Sequence, residues 1–177
     1  MTAIFRFLQG TPWWVFVVFA VLVWLGVQAL RPRVLALPRV FLTPAVFIGW
    51  GVVNLVVAAN AAPFVLLDWL LTAVAGAALA LATTGIDGMR VDRDHGLVHL
   101  PASWLPLLRI LLIFAAKYAI AAIGTVRPEL HGALLPWDIA VSGLSAGYFL
   151  GWTTRFVRRY RRVADVDLLA RSSEGAA

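Results

Sequence analysis

The sequence predicts an all-α, polytopic transmembrane helical bundle of five spans, and three observations carry that reading. Of 177 residues, 62% are hydrophobic and only 14% are charged, with a mean hydropathy of +0.87. A soluble domain is about 45–50% apolar and about 25% charged, so this chain carries more apolar surface than a core of its size can bury, and lipid must solvate the rest. The apolar residues fall into five runs, each close to the roughly 20 residues that cross a ~30 Å hydrocarbon layer. Finally, the arginines gather on one side of those runs.

Span 1 covers residues 12–30. Thr11-Pro12 supplies a capping hydroxyl followed by proline at the first helical position, and Arg31-Pro32-Arg33 stops the run. The run exceeds a signal-peptide h-region and lacks a small-residue cleavage pattern, so it is expected to be retained. Span 2 covers 41–59, with Pro44 in its first turn. The turn Asn60-Ala61-Ala62-Pro63 leads to span 3, residues 64–82. Pro101-Ala-Ser103-Trp-Leu-Pro106 announces span 4, residues 104–126, and span 5 covers 137–156 before Arg158, Arg159, Arg161 and Arg162. Residues 1–163 thus form one membrane domain, and 164–177 form a short cytoplasmic tail expected to fray. Between spans 3 and 4 lies the one substantial polar connection, Gly85 to Leu100. The alternation on both sides of Asp94-His95-Gly96 suits a small β-hairpin, and an irregular loop suits it as well.

Arginine counting sets the orientation. Arg31, Arg33, Arg39, Arg90, Arg93, Arg155, Arg158, Arg159, Arg161, Arg162 and Arg171 fall on one side, and only Arg6 and Arg127 on the other. This bias places the amino terminus outside and the carboxyl terminus in the cytoplasm of a bacterial inner membrane, and it requires an odd number of spans. Trp13, Trp14 and Trp137 sit at the outer boundaries and Trp104 at an inner one, as interfacial belts do. The net charge of +6 would raise a nucleic-acid reading in a soluble protein. Beside apolar runs it fits anionic headgroups instead, so the expected partner is the lipid bilayer and not nucleic acid. Cysteine is absent, which removes disulfides and thiolate chemistry.

Charged and polar residues within spans are the functional candidates. With ~1.5 Å of rise per residue, Asn54 and Lys117 fall roughly 20 Å from the cytoplasmic boundary, Ser142 about 22 Å and Asp68 about 24 Å, with Asp138 near the outer boundary. Arg109 falls about 8 Å from the cytoplasmic side, level with Gln28 at about 6 Å. Lys117 is the sole lysine. It is expected to pair with Asp68, with Asp138 as second choice, either as a substrate, ion or proton site or only to lower the cost of burying a charge. Arg109 is near enough to the boundary to snorkel. Asn54, Ser142 and Ser145 are the type that makes interhelical hydrogen bonds. Gly143, Gly147 and Gly151 line one face of span 5, opposite Asp138, Ser142 and Ser145, and permit close packing within one chain or between copies. His95, His99 and His131 lie in loops and would bind a metal only if acidic neighbours such as Asp92 and Asp94 converge on them. No metal or cofactor is expected. No span contains histidine to ligate haem, and no Walker loop, zincin motif or nucleophile elbow is present.

The segment Arg90-Val-Asp-Arg-Asp-His-Gly-Leu-Val-His-Leu-Pro-Ala-Ser-Trp-Leu-Pro-Leu, followed by Phe114-Ala-Ala-Lys-Tyr-Ala, resembles a family of small proteobacterial inner-membrane proteins that is a domain of unknown function. The Leu30-Arg-Pro-Arg33 stop fits the same pattern. More remotely, the order of spans and the basic hairpin before span 4 are similar to CcdC-type membrane proteins, named for an association with cytochrome c biogenesis. The missing cysteines argue against a thiol-disulfide role for this chain itself. The resemblance implies a topology and a membrane, and no catalytic residues.

The expected function is therefore that of a self-associating, non-enzymatic module. It would be a small permease-like or ligand-sensing protein with an outward-facing polar pocket around Asn54, Asp68, Lys117 and Ser142. The rival is an accessory or assembly subunit whose partner membrane protein carries the chemistry, and an intramembrane enzyme is a third class. Topology is directly testable because the chain has no cysteine of its own. Single cysteines at Asn60 and Glu129 should react with an impermeant thiol reagent outside intact cells, and cysteines at Asp94 and Ser172 should not. The reverse labelling would overturn the orientation.

Overall fold

The computed structural model describes residues 13–59 and 64–168. It is mostly helical, in the order α1 (Trp13–Gln28), β1 (Arg33–Ala36), α2 (Leu37–Ala59), α3 (Val65–Thr83), β2 (Arg90–Asp92), β3 (Leu97–Leu100), α4 (Leu105–Val126), a 3-10 turn (Pro128–Leu130) and α5 (His131–Arg162). Four helices, α2 to α5, are long and apolar enough to cross a membrane. The described part of α1 has 16 residues, about 24 Å at ~1.5 Å each. Residues 1–12, 60–63 and 169–177 lie outside the description, and with them the Thr11-Pro12 start, the Asn60–Pro63 turn and the end of the tail.

The residues group into two compact units, Met1–Arg31 with Ala102–Leu135, and Pro32–Pro101 with Pro136–Ala177. In the first, α1 and α4 run antiparallel. The Phe19 and Phe114 rings lie 4.4 Å apart, and Phe114 stacks on Tyr118. Gly26 is where the backbones approach: a Cβ there would lie 2.7 Å from Leu107 Cδ1 and 3.0 Å from its Cα. The Ser103 N–H donates to the Ala29 carbonyl at 2.8 Å, joining the two chain segments beyond the helix ends.

The second unit is built around α5. Its glycines meet α3 in a parallel pairing with a constant offset. A Cβ at Gly143 would lie 2.5 Å from the Trp69 carbonyl oxygen, one at Gly147 would overlap the Ala73 carbonyl, and one at Gly151 would lie 2.6 Å from the Ala77 carbonyl oxygen. One turn on, the Arg155 guanidinium donates to the Leu81 carbonyl, 74 residues away in sequence like the three pairs before it. This bond satisfies an orphan carbonyl in the last turn of α3 with a cation placed where the helix dipole favours one. The glycine face is thus occupied by α3 of the same chain. The other side of α5 packs antiparallel on α2, through Phe47 stacked on Phe149 at 4.5 Å, Phe41 edge-on to Phe156 at 5.5 Å, and Gly51 against Ala146. Covered on two sides, α5 is 39% buried over its most apolar window, against 17%, 17% and 11% for α2, α3 and α4. It is also the least apolar of the four, as suits a helix packed against others on two sides.

The all-α expectation needs correction. A three-stranded antiparallel sheet, ordered β1-β3-β2, pairs Arg33 with Leu100 and Arg90 with His99. The segment after Asp92 does form a hairpin, turning at Gly96 with φ +62°. Its third strand, β1, comes from the Arg-Pro-Arg stop after span 1, where four residues are too few to show a period. Span boundaries shift for related reasons. Helix α2 starts at Leu37, so Pro44 lies in its second turn, and α5 extends to Arg162 because its end packs on the sheet. Val40, Met89, Val91, Val98, Leu100 and Phe156 form the sheet's buried core, with Trp152 and Tyr160 stacked on either side of Phe156. The start of the tail is also ordered. The Val166 N–H donates to the Val91 carbonyl at 2.9 Å, and Asp165 bridges Val91 in parallel, so the tail extends the sheet at β2.

Replacing Gly147 with Ala should cost about 1–3 kcal/mol, because the helices must separate to admit a methyl group. Gly49→Ala is the control: nothing lies within 4 Å of its added methyl, so helix propensity should leave it neutral or slightly stabilising. Thermal unfolding in detergent reads both, and equal effects would mean that the α3–α5 contact is looser than described.

Candidate functional site

Two polar groups of residues stand out in the second unit, one within the helices and one at the sheet. Asp68 lies in the first turn of α3, where the helix dipole favours a negative charge. Its Oδ2 is buried without a hydrogen-bond partner among the described residues, as are Trp69 Nε1 and Ser142 Oγ. Trp69 and Ser142 come together at Gly51. A methyl group built there would lie 3.7 Å from Trp69 Cζ2, the ring carbon next to the N–H-bearing edge, and 3.6 Å from the Ser142 carbonyl oxygen. Ser142 is only 1% exposed, so water does not reach its hydroxyl from outside. The remaining polar groups are used locally. Ser145 Oγ donates to the Ser142 carbonyl at 2.9 Å, the Asn54 amide donates to the Trp50 carbonyl at 3.0 Å, and Thr72 Oγ1 donates to the Asp68 carbonyl at 2.8 Å. Asp138 is half-buried one turn before Ser142. Arg109 and Lys117 lie on α4, in the first unit, whereas Asp68 and Asp138 belong to the second.

Buried polar atoms without partners are informative because each costs about 1–3 kcal/mol relative to a satisfied one. They are a carboxylate oxygen and an indole N–H on α3 and a hydroxyl on α5. Trp69 escaped the sequence reading because a tryptophan one turn into a span reads as an interfacial anchor. The three-way junction at Gly51 was also hidden, since it requires knowing that α2, α3 and α5 meet.

The second group is at the sheet. Asp92 ends β2, is 2% exposed, and its carboxylate is held by backbone donors: His95 N to Oδ1 at 2.9 Å and Leu168 N to Oδ2 at 3.0 Å. His95 Nδ1 stands 3.0 Å from Oδ1 and 3.1 Å from Oδ2. The two backbone bonds, from Leu168 first and His95 second, hold the Asp92 carboxyl below the usual carboxylate range, with the His95 ring adding to them against the opposing effect of burial. Asp167 brings a carboxylate oxygen from the tail, so that one ligand atom from each of Asp92, His95 and Asp167 lies within 4.8 Å of the others. This is the convergence the loop histidines needed, made with Asp167 in place of Asp94, and it depends on tail residues the sequence marked as frayed. Next to it, Arg93 donates from Nη2 to the Tyr160 and Val163 carbonyls at 2.7 and 2.9 Å, closing the end of α5, and its backbone N–H donates to Asp165 Oδ1 at 2.9 Å.

The tail is therefore fastened to the hairpin by Asp92. Asp92→Asn should speed deuterium exchange at the Val166 and Leu168 amides while leaving the α3–α5 contact protected. The folded carboxyl titrates below its unfolded value, so the stabilisation is complete above the unfolded value near ~4 and is lost as pH falls through the lower folded one. Exchange unaffected by the substitution would show that the tail is held by other groups.

A family described as a family of unknown function, DUF6622, matches residues 2–166. No curated protein and no solved structure matches the chain.

Proposed function

The chain belongs to the DUF6622 family, and from that premise we propose that it is an inner-membrane protein of five spans, amino terminus outside, acting as a small permease-like or ligand-sensing module. The observation that supports this reading is the set of buried, unpartnered polar atoms on α3 and α5: Asp68 Oδ2, Trp69 Nε1 and Ser142 Oγ. Helix glue would pair such atoms with one another, because an unpaired polar group in hydrocarbon is costly. Their lack of pairing is what a site held ready for a small solute requires. That solute must bear a donor for the carboxylate and an acceptor for the indole N–H, and it must be small enough to enter beside Gly51. The role proposed is binding or passage rather than chemistry.

A second reading, a non-catalytic accessory or assembly subunit, is favoured by one observation. The outer edge of β1 has no strand partner among the described residues, and an extended segment of another protein can add to such an edge.

Stability separates these roles for the intramembrane groups. Ser142→Ala deletes a hydroxyl that has no partner among the described residues, so thermal stability in detergent should hold or rise. Uptake of small polar solutes by proteoliposomes should fall about two- to tenfold for Ser142→Ala, the worth of one neutral hydrogen bond, and by more for Asp68→Asn. Loss of stability in Ser142→Ala would mark the hydroxyl as glue, and flux no greater than in protein-free liposomes would reject the permease role.

A further inference from the structure

We infer that Asp92, His95 and Asp167 form a binding site for a divalent transition-metal ion of the zinc class, which staples the carboxyl-terminal segment to the hairpin. The spacing is close to that of metal ligands. Two metal–ligand bonds of about 2.0–2.2 Å at a tetrahedral angle put their donor atoms about 3.3–3.6 Å apart, so an ion enters with a movement of a few tenths of an ångström between His95 and Asp92. His95 Nδ1 and the Asp92 oxygens stand at 3.0 and 3.1 Å. Each Asp92 oxygen has one lone pair taken by a backbone N–H, from His95 or from Leu168, and directs its other toward the imidazole. Those backbone bonds fix the carboxylate's orientation, the task that outer-shell partners perform at metal sites. Asp167 completes three protein ligands, and solvent supplies the remaining positions.

The donor set selects the metal class. One imidazole nitrogen with two carboxylates suits zinc and its first-row neighbours, whereas calcium and magnesium prefer oxygen donors alone. Burial is graded in the way a loadable site needs. The Asp92 side chain is 3% exposed and rigid, while His95 is 47% exposed and open to an arriving ion. Neither backbone bond to Asp92 has to break when an ion enters. The hydrogen bond from His95 Nδ1 is exchanged for a metal bond, which requires the neutral imidazole. The site spans residues 92 to 167, so occupancy closes a long loop and holds the tail on β2. It stands apart from the Asp68–Trp69–Ser142 groups and does not depend on the proposed solute role.

The test uses the full chain in detergent with any affinity tag removed, titrated calorimetrically with zinc chloride, with magnesium chloride in parallel. Zinc should bind at one equivalent, magnesium should not saturate, and zinc should slow deuterium exchange at the Val166 and Leu168 amides. His95→Gln and Asp167→Asn alter exposed side chains, and the zinc-free form of each should still fold. Each should weaken zinc binding roughly tenfold or more. His99→Gln and His131→Gln should bind zinc as the unmodified chain does. The inference is overturned by an absence of saturable zinc binding, by undiminished binding in the His95 and Asp167 variants, or by binding that leaves the tail amides as fast as before. Asp92→Asn is the weaker probe, because it also removes the acceptor of the Leu168 amide.

Discussion

Everything in the second unit depends on how closely α5 approaches α3. Lipid tails are as apolar as leucine, so burying apolar side chains does little to bring two helices together within a membrane, and packing must do it instead. Gly143, Gly147 and Gly151 remove the side chains that would hold the backbones apart, and Trp69, Ala73 and Ala77 present their carbonyls to the space that is left. The constant offset from Trp69–Gly143 to Leu81–Arg155 shows one continuous parallel contact of just over three turns, closed at its end by a cation on a helix carboxyl terminus. With one face given to α3 and the other to α2, α5 is the most buried of the four long apolar helices, and Ser142 and Ser145 are buried along it. The buried polar atoms are thus a consequence of the glycines.

The same helix organises the sheet. At ~1.5 Å per residue, its 32 residues reach about 48 Å, well beyond a ~30 Å hydrocarbon layer. The excess carries Trp152, Phe156 and Tyr160 at i, i+4 spacing, an aromatic ladder on which the hairpin and β1 fold. Residues 33–36 and 90–100 are far apart in the chain, yet they meet over one small apolar core, and 165–166 join them through the backbone of β2. Backbone hydrogen bonds to Asp92 and the Arg93 bonds to the end of α5 then fix the tail, and the tail delivers Asp167 beside His95. The long helix therefore supports two chemically different groups, one among helices and one among strands.

These groups differ in what they ask of a ligand. The one among the helices has polar atoms without partners among the described residues, and under the proposed role a solute would relieve that deficit. At the sheet-side one both Asp92 oxygens are hydrogen-bonded, so the inferred ion would exchange the bond to His95 for bonds to itself. Membership of the family adds no chemistry to either, so each rests on its own geometry.

The sequence by itself determined that the chain carries helices long and apolar enough to cross a membrane, since composition and run length report directly on the solvent a helix requires. Four long apolar helices appear close to where the hydropathy placed them, and the helical period put Gly143, Gly147 and Gly151 on one face of the last. Whether that face met a second copy or another span of the same chain was beyond it, because a stripe of small residues specifies a close approach and not a partner. Strand β1, the ordered start of the tail, the junction of Trp69 with Ser142 at Gly51, and the meeting of Asp92, His95 and Asp167 were likewise decided by tertiary structure. Four-residue strands show no usable period, and ligand atoms more than 70 residues apart acquire a spacing only when a sheet edge brings them together.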